Sequence, residues 1–196
     1  MNNILLLIVF LFGTINLSAQ TQVEASLNAS VLSLNSATNN SVTRDASVAG
    51  GGSGALRFRF TPNHGVEFNY GHANDTQQVT INGSKVSLKA GVHEVSGAYI
   101  FRLRPNPRVQ PFFGAGVALL QFNPKKDQQF NPVPQSQNKP GLLYTAGVDY
   151  MFNPHFGMRL QFRGLVFAAP SFMVETFRSN TMHQMSEPSV GFVYRF

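Results

Sequence analysis

The chain has 196 residues, a formal net charge of +6 and no cysteine, so disulfide bonds cannot hold it together. All five lysines fall in polar connecting segments, whereas most arginines are dispersed among apolar neighbours in strand-like runs. Nucleic-acid binding usually requires a basic patch or a platform of aromatic and basic side chains, so this distribution argues against a nucleic-acid partner.

Residues 1–19 form the first distinct segment. Their apolar run, residues 4–12, is shorter than the ~20 apolar residues of a membrane-spanning helix. The small residues Ser18 and Ala19 follow it, which is typical of a signal peptide, although no lysine or arginine precedes the run. We therefore predict export, cleavage after Ala19 and a mature domain over residues 20–196.

Eight later segments alternate apolar and polar residues with the period of two that indicates a β-strand with one apolar face. The first, residues 23–31, is the weakest because it contains no aromatic residue, and the last, residues 189–196, is the clearest. The other six segments are residues 56–60, 66–70, 95–103, 109–119, 142–152 and 158–166.

The connections between these segments alternate in length. The short ones are rich in turn formers, and lie at residues 62–65, 105–107 and 153–155. The long ones occupy roughly residues 33–53, 72–91, 123–140 and 168–187. Asn82-Gly83 predicts a small hairpin in the second long connection. Strict alternation is typical of a membrane barrel with tight periplasmic turns and long extracellular loops.

The polar face of the segments distinguishes a membrane barrel from a soluble one. A soluble exterior is normally rich in Lys, Glu and Asp, but this face is chiefly Gly, Ser, Thr, Gln and Asn with some arginines and carboxylates. Such residues suit a narrow, filled lumen. We predict an all-β fold, an eight-stranded antiparallel up-and-down transmembrane β-barrel, with a soluble lipocalin-like barrel as the alternative.

Charged residues on the polar face are predicted to meet inside the barrel. Isolated charges there would lose their hydration at a cost of several kcal/mol each, so arginines should pair with carboxylates. Gly114 and Gly116 are expected to leave room for the long side chains. The predicted lumen charge network is Arg57, Arg59, Glu67, Glu94, Arg102, Arg104, Asp149, Arg159, Arg163 and Arg195.

The sequence offers no convincing catalytic or metal site. His93 and Glu94 are the most suggestive pair, but adjacent strand residues point to opposite faces and cannot readily share a proton. The histidines lack the spacing of a metal site, and no serine lies near a histidine with an acid behind it. The other histidines fall in predicted connections: His64, His72, His155 and His183. We therefore expect neither a cofactor nor enzymatic activity.

The last segment carries a resemblance to a known family. With Val190, Phe192, Tyr194 and Phe196 at alternate positions, it is similar to the last strand of bacterial outer-membrane barrels, which the barrel-assembly machinery reads. With its eight segments, the chain resembles the outer membrane protein A transmembrane domain and barrels of the outer membrane protein W type over about residues 20–196. The resemblance implies an outer-membrane location, these four residues as the C-terminal assembly signal, and that machinery as a partner.

Three functions remain open at this stage. The first is a structural or surface-interaction role with a plugged lumen, in which Lys85, Lys89, Lys125 and Lys126 meet a partner or lipopolysaccharide phosphates. The second is passage of small or hydrophobic molecules, although eight strands leave an interior barely wide enough for side chains. The third is a lipid-modifying enzyme. We expect the first, in a monomer surrounded by outer-membrane lipid and lipopolysaccharide.

Overall fold

Eight long strands and two short ones make up a computed structural model of the chain. It describes residues 22–34, 37–39, 42–44, 47–81, 84–103, 107–124, 136–168 and 182–196. The predicted signal peptide, Arg104, Lys125 and Lys126 lie outside these residues. The strands are β1 (Gln22–Leu34), β2 (Ala37–Asn39), β3 (Val42–Arg44), β4 (Ser47–Arg59), β5 (His64–Ile81), β6 (Ser84–Arg102), β7 (Val109–Pro124), β8 (Gln137–Met151), β9 (Phe156–Ala168) and β10 (Met182–Arg195).

The long strands close into an antiparallel barrel. Neighbouring strands pair in the order β1, β4, β5, β6, β7, β8, β9, β10 and back to β1. A ladder of paired residues followed around the barrel from Glu24 returns to β1 at Leu34, ten residues further along the strand. Such a stagger tilts the strands and, with their number, fixes the barrel's width. The predicted eight-stranded up-and-down barrel is confirmed.

Large apolar side chains cover the outer face of the barrel, while arginines and carboxylates are buried inside it. This arrangement follows from the alternation of side chains along a strand. A soluble barrel would place the apolar set inside, so the lipocalin-like alternative is wrong. Exposed residues on the outer face include Leu27, Phe68, Val95, Val117, Leu142, Leu160 and Phe192. In the described part of the chain, no helix is long and apolar enough to cross a membrane.

The strands extend beyond the predicted ones at the end that carries the long connections, here called the long-loop end. β5 and β6 pair continuously as far as Ile81 and Ser84, so the predicted connection 72–91 is largely a hairpin. β4 already begins at Ser47, and β10 begins at Met182. Pairing with a neighbouring strand keeps these polar and glycine-rich residues extended. These extensions do not alternate apolar and polar residues, so the period of two does not predict that they are strands.

At the opposite, short-turn end, polar side chains fix the turns. Asn63 donates from its amide to the backbone carbonyl of Arg102 at 2.9 Å, which ties one turn to the next strand pair. The side-chain oxygen of Asn153 accepts from the backbone nitrogens of His155 and Phe156 at 2.9 and 2.7 Å. Asparagine favours such local bonds, so these turns form at the positions that the sequence predicts.

Gly114 and Gly116 lie where β7 approaches β6 closely. A Cβ atom at Gly116 would come within 2.0 Å of the Gly97 carbonyl oxygen and 2.6 Å of the Ala98 Cα atom. At Gly114 it would meet backbone and the side chain of Ile100. The space beside these glycines is therefore occupied by the backbone of β6 and by the side chain of Ile100. The glycines allow this close approach of the two strands, and the expectation that they leave room for arginine side chains is wrong.

Replacing Gly116 with alanine is expected to destabilise the barrel by about 1 to 3 kcal/mol, because backbone must move to admit the Cβ atom. Urea unfolding of the refolded protein in detergent measures this loss. Gly50→Ala is the matched control, since a Cβ atom there meets nothing within 4 Å. Equal stability of the two variants would contradict the close approach.

Candidate functional site

The lumen contains three groups of charged side chains, stacked between the short-turn end and the long-loop end. We call them the central cluster (Arg57, Glu67, Asp149 and Arg159), the rim cluster (Glu24, Arg59, Arg102 and Arg195) and the outer triad (Glu94, Arg163 and Glu187). Every member lies on an inward position of its strand and is buried. The rim cluster is nearest the short turns, since Arg59, Arg102 and Arg195 end their strands there.

The central cluster joins four strands across the lumen. Arg57 donates to Glu67 at 2.7 and 3.0 Å and to Asp149 at 3.3 Å. Arg159 donates through Nε and Nη2 to the two oxygens of Asp149, at 2.7 and 3.0 Å, and through Nη1 to Glu67 at 2.9 Å. Two guanidinium groups thus meet two carboxylates in short, charge-assisted hydrogen bonds. The four formal charges cancel, which offsets the cost of burying them.

An aromatic ring lies beside this cluster. The guanidinium carbon of Arg57 lies 4.1 Å from the centre of the Phe112 ring, and that of Arg159 lies 5.2 Å from it. Both distances are within the range of a cation–π interaction. Phe112 is buried and points inward from β7, so its ring fills the lumen beside the two guanidinium groups.

The rim cluster is arranged differently, because its three arginines share one carboxylate. The nitrogens of Arg59, Arg102 and Arg195 lie 3.0, 3.1 and 2.8 Å from the same oxygen, Oε1 of Glu24. Arg195 also donates to the side-chain oxygen of Gln110 at 2.7 Å. The rim cluster therefore holds three positive charges around one negative charge.

The outer triad lies further toward the long-loop end. Arg163 forms ion pairs with Glu94 and, at 2.9 Å, with Glu187, and donates to the hydroxyl of Ser96 at 2.7 Å. Beyond it the lumen becomes apolar, with Phe122 and Phe167 packed at 5.7 Å between ring centres. The residues of this apolar cluster are almost fully buried: Leu120, Phe122, Leu165, Phe167 and Met185.

Nine of the ten predicted network residues lie in these three groups, and the tenth, Arg104, is outside the described residues. The sequence reading missed Glu24 and Glu187. Glu24 alternates with Ser26 and Asn28 on the polar face of β1, so closer attention to this weak segment could have found it. Glu187 was assigned to a long connection, and only its pairing with Arg163 across β9 and β10 reveals its position.

The histidines lie mainly outside the lumen. His93 points outward and bonds the Tyr70 hydroxyl at 2.9 Å, while Glu94 points inward. His72 and His183 are predicted in connections, but they lie in strands β5 and β10. The prediction is wrong because both strands extend beyond the segments in which apolar and polar residues alternate. Within the described residues, no group of three or more His, Asp or Glu side chains could hold a metal ion.

Aromatic residues form a belt around the outside of the short-turn end. His155 donates to the backbone carbonyl of Arg195 at 2.9 Å at the edge of this belt. Further toward the long-loop end, the side-chain amide of Gln184 donates a hydrogen bond to the Tyr144 hydroxyl at 2.6 Å. Bands of aromatic residues mark the two membrane interfaces of transmembrane barrels. The belt contains Phe60, Tyr99, Phe101, Phe113, Tyr150, Phe152, Phe156, Tyr194 and Phe196.

An apolar outer surface, an aromatic belt and a polar, charge-paired interior define a small transmembrane β-barrel. The chain belongs to the outer membrane protein β-barrel domain family, whose model matches residues 4–196. Membership places it among proteins of the bacterial outer membrane, so the short-turn end is the periplasmic end.

Solved structures show the same fold. Neisserial surface protein A has a TM-score of 0.65 at 15% identity, with 89% of this chain and 97% of that chain covered. OprG of Pseudomonas aeruginosa has a TM-score of 0.59 at 17% identity, covering 90% and 95%. Ail of Yersinia pestis has a TM-score of 0.59 at 15% identity, covering 90% and 99%. No curated protein sequence matches the chain.

Replacing Asp149 with asparagine is expected to cost about 3 to 5 kcal/mol of unfolding free energy, because it leaves a buried arginine without a full carboxylate partner. Urea unfolding in detergent measures the loss. The double variant Asp149→Leu with Arg159→Met removes both charges and should lose less than the sum of the two single losses. Strictly additive losses would show that the pair is not coupled.

Proposed function

We propose that this protein is a structural and surface-interaction protein of the outer membrane, whose barrel carries a projecting sheet at the cell surface. The observation that carries the proposal is the extension of β5 and β6 beyond the barrel wall. The short strand β3 pairs with β5 through Val42 to Ile81 and Arg44 to Val79, and β2 pairs with β3. Four strands thus form one sheet at the long-loop end.

The size of this sheet suits a binding surface. At about 3.3 Å per residue, the part of β5 beyond His72 extends roughly 30 Å along the strand. The edge of a sheet can pair with another molecule, and its face can pack against one. A barrel that served only to fill the membrane would need no such extension.

Lipopolysaccharide phosphates are the partner that the charge pattern supports. Lys85 and Lys89 belong to β6 in the projecting sheet, and Lys125 and Lys126 follow β7 in the sequence. Lysines bind phosphate through charge-assisted hydrogen bonds. The protein would thus contact the lipid that surrounds it, as a monomer.

Passage of small or hydrophobic molecules is the competing function. The apolar cluster offers inner surface to an apolar solute, but the outer triad, central cluster and rim cluster follow it along the lumen. A solute would have to break buried ion pairs at each level, at a cost of several kcal/mol for each pair. We infer that this network plugs the lumen.

Two further parts of the proposal concern biogenesis and chemistry. We propose that residues 1–19 direct export and that Val190, Phe192, Tyr194 and Phe196 are read by the barrel-assembly machinery. All four are exposed on the lipid-facing surface, where a membrane-embedded receptor could reach them. We also propose that the protein is not an enzyme, since His93 and Glu94 lie on opposite faces of the wall.

Replacing Asp75–Ala90 by Asn-Gly should shorten the hairpin while retaining every pair below Asn74 and Gly91, so the barrel still folds. We expect about a tenfold loss of lipopolysaccharide affinity in calorimetric titration, because two lysines are removed. Lys139→Gln, which removes a lysine from β8, is the control and should bind normally. Retention of full affinity by the shortened variant would contradict the proposed surface.

Planar-bilayer recording tests the plug. The intact protein is expected to give no steady single-channel current, because the ion pairs of the central cluster span the lumen. Heat-modifiable migration on gels confirms that the protein used is folded. A stable, reproducible conductance of the folded protein would favour the passage function instead.

A further inference from the structure

The three lumen groups differ in net charge. Among the described residues, the central cluster is neutral, the outer triad has one arginine for two carboxylates, and the rim cluster has three arginines for one carboxylate. Glu24 carries one negative charge and cannot neutralise all three, although its Oε1 atom lies about 3 Å from each guanidinium group. The rim cluster therefore carries two surplus positive charges.

Nearby carboxylates do little to offset this surplus. Asp149 lies 3.9 Å from Arg102, but it already receives three hydrogen bonds from Arg57 and Arg159. Glu67 pairs with the same two arginines. The central cluster is thus balanced internally and has no spare negative charge for its neighbour.

Unused hydrogen-bond donors point to the same place. Nη2 of Arg59 and Nε of Arg102 are buried and have no hydrogen-bond partner among the described residues. Arg59 is 8% exposed and Arg102 2% exposed. A buried guanidinium donor without an acceptor is costly, because it loses its hydration and gains nothing in return.

The rim cluster lies at the periplasmic mouth of the barrel and faces away from the lipid. Arg59, Arg102 and Arg195 are the final residues of β4, β6 and β10, at the mouth of the barrel. The side chains of Arg59 and Arg195 each keep 10% of their surface exposed. All three are on inward positions, whereas lipid contacts the opposite face of the wall.

We propose that the rim cluster is a binding site for a small, doubly charged oxyanion of the phosphate type, which enters from the periplasm. Two negative charges match the surplus of the cluster. A tetrahedral oxyanion presents several acceptors, which suits the planar, forked donors of guanidinium groups better than a monatomic anion does. Arg59 and Arg102 supply the unused donors, and Arg195 contributes charge.

Phosphate binding is tested on the full mature barrel, folded in a phosphate-free, non-ionic detergent. Sodium phosphate is titrated at constant ionic strength and followed by ³¹P NMR. Saturable binding is expected, with an affinity about tenfold or more lower in Arg59→Gln, because a charge-assisted contact is lost. Lys139→Gln makes the same change in net charge at the other end of the barrel and should bind like the wild type.

Stability separates a binding site from a packing role. Phosphate should raise the unfolding midpoint of the wild type but not that of Arg59→Gln. In phosphate-free buffer, Arg59→Gln should be at least as stable as the wild type, because it removes a surplus charge. If Arg59 serves only to pack the lumen, the variant is less stable in both buffers, and this result would overturn the proposal.

If Arg59→Gln does not fold, a variant that keeps the positive charge can be used to test the same prediction. Arg59→Lys retains a positive charge but lacks the guanidinium fork, so its phosphate affinity should fall several-fold. Wild-type affinity in this variant would overturn the assignment of Arg59. A response to short-chain phosphatidylglycerol without any response to inorganic phosphate would also overturn it, since the ligand would then be a lipid at the outer rim.

Discussion

Burial of arginine inside a narrow barrel is the constraint on which this structure depends. Guanidinium groups remain charged at any ordinary pH, so each one placed in the lumen must find carboxylates or other acceptors there. Strand spacing and stagger determine which inward residues can meet. Arg57 and Arg159 satisfy the requirement through Glu67 and Asp149, which come from the neighbouring strands β5 and β8. The geometry of the barrel therefore determines which charged side chains can pair inside the lumen.

The same constraint explains why the lumen changes character along its axis. Ion pairs occupy the periplasmic half, where the outside is covered by aromatic and apolar side chains. Apolar residues such as Leu120 and Phe167 fill the part of the lumen beyond the outer triad. Buried side chains thus fill the lumen at both levels.

Much of the fold could be predicted from the sequence, because the period of two and the alternation of short and long connections are properties of single segments. The strand extensions could not, since pairing alone holds residues such as Gly51 and Thr80 in strands. The polar face of each strand identified the arginines. Their grouping, however, depends on register around a closed barrel, which no single segment encodes.

Glu24 is an example of a contact that depends on the register of the strands. A weak apolar pattern makes β1 the least convincing strand in the sequence, yet Glu24 is the residue around which three arginines gather. The pairing of β9 with β10 likewise places Glu187 beside Arg163. Sequence patterns thus predict which side chains enter the lumen, while the stagger of the strands determines how their charges are divided among the groups.

The position of Glu24 also has a consequence for how the barrel forms. It stands on the first barrel strand and bonds Arg195 on the last one, 171 residues away along the chain. Contacts between such distant segments form late, because the whole intervening chain must first be ordered. Until the seam between β1 and β10 closes, the guanidinium group of Arg195 lacks its carboxylate. Closure of this seam and the pairing of Glu24 with Arg195 are thus one event.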